Sequence, residues 1–594
     1  MGDIALKESI LKRVEKPSRY IGGEYGTPKL KKGKFNFCIC FPDVYEVAMS
    51  NLSIRIVADV INKVDGAVCD RCFAPWADLG EILKKEGVLL ESLDLKMPLK
   101  DFDMLGFTLQ YEMSYTTILY MLDLAGIPLK REDRGEDYPI IQAGGPCAVN
   151  PEPLADFIDI FVIGDGEESM QELAKLKMDC KSKSEFLQKA TQIQGVYVPA
   201  LVDVNYKENG QIEGFSIKEP IKKALVKNLD TAEFPQVQAV PNCESVFDRA
   251  VVEVMRGCYR GCRFCQAGFI YRPVRARGVK TLTEQACSLV RNSGFEEVGL
   301  NSLSTGDYPN LKELIKSLKE NLPSDVHLAL PSLRLDSFDG EFVQESRKSS
   351  LTFAPEAGTQ RLRDVINKDI TEEDVERGLN MAFDNGYTGI KLYFMFGLPT
   401  ETEEDIWAIC DIVDRIRKIY SANPQRARRL RISVSASTFI PKPFTPFQWE
   451  RQITEEEVKH KVSLLKSRLY SKNTTISWND FSLSEMEAVL ARGDRRVGKV
   501  LLRAYEKGCY FDGWTDKFDA KKWNEAFEET GVDKTFYTRE WGEDEILPWD
   551  FINIFVDKSF LLRERKKAYL AEVTGSCKKD CKGCGIQKVY RCNE

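Results

Sequence analysis

Histidine is nearly missing from this sequence. Its 594 residues contain 17 cysteines but only two histidines, His327 and His460. Two imidazoles so far apart exclude a paired-histidine zinc helix and any histidine-rich metal cluster, and they leave at most one for a Ser-His-Asp triad. Long hydrophobic runs are also missing, since no stretch approaches the roughly 18 apolar residues that a membrane span needs. The opening Met1-Gly2-Asp3-Ile4-Ala5-Leu6-Lys7-Glu8 holds no apolar signal-peptide core. Charge of one sign is not in excess either. Lys plus Arg is 84 and Asp plus Glu is 91, a net charge of -7, which offers nucleic acid no global attraction. A chain of this length is not a small secreted disulfide scaffold. Together these absences predict a cytoplasmic protein of about three or four domains, with reduced thiols, no membrane partner and sulfur-based chemistry.

What is present is a repeated alternation of strand-like and helix-like segments. After an N-terminal extension over 1–32, residues 33–178 hold candidate strands at Phe35–Phe41, Phe102–Phe107, Pro139–Ala143 and Ile158–Ile163, with helical spacing between them. That pattern predicts a flavodoxin-like, doubly wound parallel sheet, whose ligands sit beyond the carboxyl ends of the strands. Loops at those ends include Thr108-Leu109-Gln110-Tyr111, Gly144-Gly145-Pro146-Cys147 and Gly164-Asp165-Gly166-Glu167. Residues 179–249 read as a connector with a hairpin turning at Glu208-Asn209-Gly210. Six further strands over 250–450, starting at Ala250, Glu297, His327, Leu351, Gly389 and Arg431, predict a β/α barrel of partial TIM type, with its site on the loops after the strands. Residues 451–594 read as a mainly helical C-terminal domain ending in a Cys-rich tail.

The chemistry is concentrated where the first barrel strand ends, in Arg256-Gly257-Cys258-Tyr259-Arg260-Gly261-Cys262-Arg263-Phe264-Cys265. A C-x3-C-x2-C loop can wrap a cubane and present three thiolates to three irons, leaving the fourth iron open. A three-Cys zinc site with a remote fourth ligand is the alternative. This segment resembles the radical S-adenosylmethionine (SAM) superfamily, whose hallmark is C-x3-C-x-aromatic-C. The resemblance implies a [4Fe-4S] cluster on Cys258, Cys262 and Cys265, reductive cleavage of SAM, and an external one-electron donor such as a flavodoxin or ferredoxin. It also implies SAM contacts on later loops: Ser304, Gly306 and Asp307, then Ser332 and Arg334, then Glu356 and Arg361, then Gly397.

A flavodoxin-like domain preceding the barrel resembles the cobalamin-dependent radical SAM enzymes. That resemblance places cobalamin against Thr108, Leu109, Gly144, Gly145, Pro146, Gly164, Gly166 and Glu167, and it implies methyl transfer to an unactivated carbon. Asp43-Val44-Tyr45-Glu46-Val47-Ala48 has no histidine where a D-x-H-x-x-G ligand motif would stand, so any cobalamin would bind without a protein imidazole. A rival reading uses Cys40, Cys72 and Cys147 as ligands of an auxiliary iron-sulfur cluster, as in methylthiotransferases, with methylthiolation or sulfur insertion, possibly on RNA. Cys38 and Cys69 read as buried small hydrophobes. A third reading is a non-catalytic iron-sulfur module binding RNA or the ribosome. The tail adds Cys577, Cys581, Cys584 and Cys592, a set for zinc or a second cluster. No motif identifies the substrate, with RNA and protein both open.

Overall fold

The computed structural model describes residues 8–329, 350–423, 426, 429–469, 471 and 473–592. Six strands build the N-terminal sheet: β1 (Phe35–Phe41), β2 (Ala67–Phe73), β3 (Met104–Thr108), β4 (Ile140–Gly144), β5 (Ile160–Val162) and β6 (Val196–Tyr197). Their order is β2-β1-β3-β4-β5-β6, with the first five parallel and β6 antiparallel. β1, β3, β4 and β5 are short and almost wholly apolar because both faces are covered, as expected of a parallel sheet. β2 carries Asp70 and Arg71, which is why its strand character is less visible in sequence. Arg71 pairs with Glu24 and Asp94, and Asp70 accepts from the Leu95 amide, so both charges are satisfied beside the strand. The helical stretch expected after β1 is two helices, Tyr45–Met49 and Leu52–Asn62. The break is at Asn51, whose side chain caps the second helix by accepting from the Ser53 amide.

One face of this sheet is packed by Leu52–Asn62 and Glu167–Asp179. The other face shares its core with the C-terminal region, which is therefore not a separate unit. Ile118 and Leu122 lie in the same apolar cluster as Val497, Leu501, Trp523 and Trp549. Tyr120 stacks on Tyr510, with ring centroids 4.3 Å apart. Asp512 accepts from Thr116 Oγ1 at 2.5 Å and from Trp523 Nε1 at 3.1 Å. Burial pushes the Asp512 carboxyl up to about 6, against those two donors. The connector hairpin forms as expected, pairing Val204–Tyr206 with Ile212–Phe215 around Gly210.

The central region carries seven parallel strands: β7 (Ala250–Glu253), β8 (Glu297–Asn301), β9 (His327–Ala329), β10 (Leu351–Glu356), β11 (Gly389–Phe396), β12 (Arg431–Thr438) and β13 (Thr474–Trp478). They make two sheets, β7-β8-β9 and β10-β11-β12-β13, and among the described residues no ladder closes them into a barrel. β13 extends the second sheet, pairing Ile432 with Thr474, so the boundary expected at 450 cuts through this unit. Capping boxes at Thr371/Asp374 and Thr402/Asp405 start the helices Glu372–Asp384 and Glu403–Ser421. Among the described residues no helix is long and apolar enough to cross a membrane.

Candidate functional site

The cysteine loop begins two residues after β7. Met255 and Arg256 pair with Ala276 and Arg275, and the chain then turns sharply at Gly257, with φ 89°. A Cβ there would lie 2.8 Å from the Tyr271 carbonyl oxygen, so the turn requires glycine. Cys258, Cys262 and Cys265 follow, all half-buried. Two arginines fix the loop between them. Arg260 donates through Nε and Nη2 to Asp307 at 2.9 and 2.7 Å, and through Nη1 to Asp369 at 2.9 Å. Arg263 is fully buried and pairs with Glu564 on the helix Lys558–Tyr569. Its remaining donors reach the carbonyls of Asp364, Val365 and Glu572 at 3.1, 2.9 and 2.7 Å. Such a guanidinium holds backbone from three directions. Asn367 completes the frame, donating to the Gly261 carbonyl at 3.1 Å.

Directly before the loop, the same strand forms one wall of a cavity of about 400 Å³. The opposite wall is the carboxyl end of the N-terminal sheet, including Thr108, Gly144, Gly145, Pro146, Gly164 and Gly166. An ion network joins the two walls. Arg256 pairs with Asp165 at 3.0 Å, Glu167 at 2.7 Å and Glu253 at 2.9 Å, and Arg275 pairs with Asp165 from the other side. Burial alone would raise the Asp165 carboxyl, but Arg256 and then Arg275 outweigh it and hold it at about 2. Lys223, also in the wall, donates to the carbonyls of Ile270 and Arg272. Burial lowers its ammonium to about 7 despite nearby Asp165.

Family models match this architecture. The radical SAM superfamily model matches residues 252–413, and the model for the N-terminal region of radical SAM proteins matches residues 53–199. The chain is a radical SAM protein. It is 29% identical over 499 residues to an uncharacterized protein of Methanocaldococcus jannaschii, covering 82% of this chain and 97% of that one. It is 24% identical to a probable threonylcarbamoyladenosine tRNA methylthiotransferase of Archaeoglobus fulgidus, over 32% of this chain and 47% of the relative, so it spans about half of that protein. Among solved structures it is similar to the radical S-adenosylmethionine methyltransferase TsrM of Kitasatospora setae with cobalamin and a [4Fe-4S] cluster bound. The identity is 14% and the TM-score 0.46, over 70% of this chain and 77% of that one.

Radical SAM membership gives the loop its chemistry, and the residues present suit a cluster. Three thiols sit on one loop, the Arg260 amide lies 3.4 Å from Cys258 Sγ, and Lys368 is a cation close enough to act on Cys265. For SAM the outcome is mixed. Ser304 Oγ donates to Asp307 at 2.7 Å, and both Asp307 oxygens accept from Arg260. These residues, with Gly306 in the same short turn, fasten the second loop to the first. Glu356, at φ 68°, accepts from Lys368 at 3.0 Å. Arg361 is occupied by Asp405 and Thr400, which makes it a salt-bridge residue in this structure. The Gly397 amide donates to Glu401 at 2.9 Å. Ser332 and Arg334 lie outside the described residues.

For a corrinoid, the cavity offers a polar contact but no imidazole. Thr108 lines the cavity and is 5% exposed, and its buried Oγ1 has no hydrogen-bond partner. Among the lining residues there is neither histidine nor cysteine. Leu109, expected at this ligand, instead lies fully buried behind the wall. Its backbone is used by Gly144 and Cys147, so it packs the loop rather than facing the cavity. Gly145 and Gly164 are glycines for that packing, since a Cβ on each would meet the backbone of Leu109 or Ala224 within 2.7 Å. Cys38, Cys40, Cys69, Cys72 and Cys147 are all buried away from the cavity, and burial pushes the Cys38 thiol up to about 12. Cys40 stands opposite Cys72 in the β1–β2 register, inside the core. These five thiols pack as small hydrophobes. Sequence reading missed Asn367-Lys368-Asp369, which touches the cysteine loop from a turn without motif character, and Glu564, the partner of Arg263 from 301 residues away.

Proposed function

We propose that this radical SAM enzyme transfers methyl groups to an unactivated carbon with the help of cobalamin. The observation carrying this reading is continuity: Met255, Arg256 and Gly257 line the large cavity, and the next residue is the first cysteine of the loop. A ligand in that cavity therefore lies beside whatever the loop binds. When bound, the cluster supplies one electron for reductive cleavage of SAM, and cobalamin supplies a methyl carrier. The chain's own residues orient and enclose. Cys258, Cys262 and Cys265 hold the cluster, and Arg260 with Asp307 keeps the second loop against it. Arg256 locks the cavity wall to Asp165 and Glu167, and Thr108, whose Oγ1 has no partner, would be among the residues that hold the corrinoid. With no histidine among the lining residues, a corrinoid held there would have no protein imidazole ligand. An external flavodoxin- or ferredoxin-class donor supplies the electron.

The methylthiotransferase reading loses its N-terminal ligands, because Cys40, Cys72 and Cys147 are core residues. The experiment is anaerobic reconstitution with ferrous iron, sulfide and hydroxocobalamin, followed by gel filtration and corrinoid absorbance. About one corrinoid per chain is expected, with Thr108→Val weakening retention by about three- to tenfold. A chain that retains no corrinoid overturns the cobalamin reading. Failure to cleave SAM under strong reductant overturns the enzyme reading and leaves the non-catalytic module.

A further inference from the structure

The tail repeats the spacing of the first motif. Cys577, Cys581 and Cys584 are C-x3-C-x2-C, as are Cys258, Cys262 and Cys265, and Cys592 follows eight residues after the third tail cysteine. In the fold the two segments meet. The Cys577 amide and thiol both lie 3.3 Å from the Tyr259 carbonyl oxygen, inside the first loop. Lys578 reaches the Asp307 carbonyl at 3.4 Å, and Asn367 donates to both Gly261 and Thr574. The helix Lys558–Tyr569 serves both segments: Glu564 holds Arg263 of the first loop, and Arg563 donates to the Gly583 carbonyl of the tail at 3.0 Å. The chain wraps through Gly583 at φ 66° and Gly585 at φ 104°. Cys577, Cys581, Cys584 and Cys592 then line one small cavity of about 50 Å³, and Cys258 lines the same cavity.

We propose that these four tail cysteines hold a second iron-sulfur cluster, seated against the loop of the first. A thiol serving only as a small hydrophobe is buried, whereas Cys581 and Cys592 are exposed and line a cavity with two partners. Arg272 and Lys582 line that cavity as well, so two cations stand beside the four sulfurs. A four-thiolate set suits zinc and iron-sulfur centres alike; what points to iron and sulfide is the C-x3-C-x2-C spacing repeated from the first loop.

This proposal is independent of the cobalamin reading and uses the first cluster only as its internal reference. The full chain is reconstituted anaerobically with ferrous iron and sulfide, beside a C577S/C581S/C584S/C592S variant and a C258S/C262S/C265S variant. The unsubstituted chain is expected to take up about twice the iron and sulfide of either variant. Reduction should give two overlapping EPR signals, broadened by mutual coupling, and each variant should show a single unbroadened one. The single substitution Cys592→Ser, at an exposed position, should alter the tail signal while circular dichroism stays unchanged, separating ligation from folding. A tail variant with the full iron and sulfide load overturns the proposal, as does zinc held at one per chain by the tail when both metals are offered. A full load in the C258S/C262S/C265S variant instead overturns the assignment of the first cluster and leaves the tail centre standing.

Discussion

Residues 258, 262 and 265 and residues 577, 581 and 584 repeat one spacing in two settings. In the first loop, the residues between the cysteines are tied into the fold: Arg260 spans Asp307 and Asp369, and Arg263 is buried on Glu564. At the matching tail positions stand Lys579, which is exposed, and Lys582, whose 3.7 Å pairing is with Asp580 near the surface. Spacing alone thus gives a ligand set, while the intervening residues decide whether that set is held rigidly and connected to other loops. The first loop is built to position a reacting partner, and the tail is built to be held by its neighbours.

The largest effect that sharpens this contrast is expected from Cys262→Ala. SAM cleavage under strong reductant, followed by chromatography of the nucleoside product, should fall at least about a thousandfold. Cleavage above about a tenth of the unsubstituted rate would break the assignment of the first loop. Next comes Arg263→Ala, which takes the buried cation from Glu564, leaves it only Lys567 at 3.3 Å as a cation, and strips three backbone carbonyls of their donor; it should cost about 3–5 kcal/mol in denaturant unfolding. Its tail counterpart Lys582→Ala should stay within about 0.5 kcal/mol. Equal losses in the two would show that the tail is as rigidly built as the loop. Arg260→Ala is expected to be smaller, lowering cleavage by about ten- to a hundredfold with iron content retained, because Asp307 and the second loop lose their anchor. The matching Lys579→Ala should change neither quantity by more than about twofold. A large effect there would mean that the tail also positions a partner.

Much of this was readable from local pattern. β1 stands out as an apolar run broken only by Asn36, and the glycine loops stand out because turns at strand ends need glycine. The three loop cysteines were readable because their chemistry depends on spacing, which the sequence displays directly. What escaped depends on distance along the chain. β13, Thr-Thr-Ile-Ser-Trp, has one aliphatic residue and sits at a sheet edge with Trp478 exposed, so its strand character comes from pairing with β12. Leu109 looked like a ligand-loop residue and proved to be packing, because the Gly144–Cys147 loop closes over its backbone. Arg361 and Asp307 carry charges suited to SAM, but their partners, Asp405 and Arg260, come from other segments that no local pattern reveals. The C-terminal helices show amphipathic periodicity, yet nothing local says that their apolar faces belong to the N-terminal sheet.

That shared core has a consequence for the order in which the chain is made. During synthesis, the helix Tyr115–Leu124 emerges long before Val497–Glu506, which packs on it, and Ala520–Thr530, which packs on Val497–Glu506. Until those helices arrive, a broad apolar surface with Ile118, Leu122 and Tyr120 is left open to water. Such a nascent chain has reason to depend on chaperones through most of its translation.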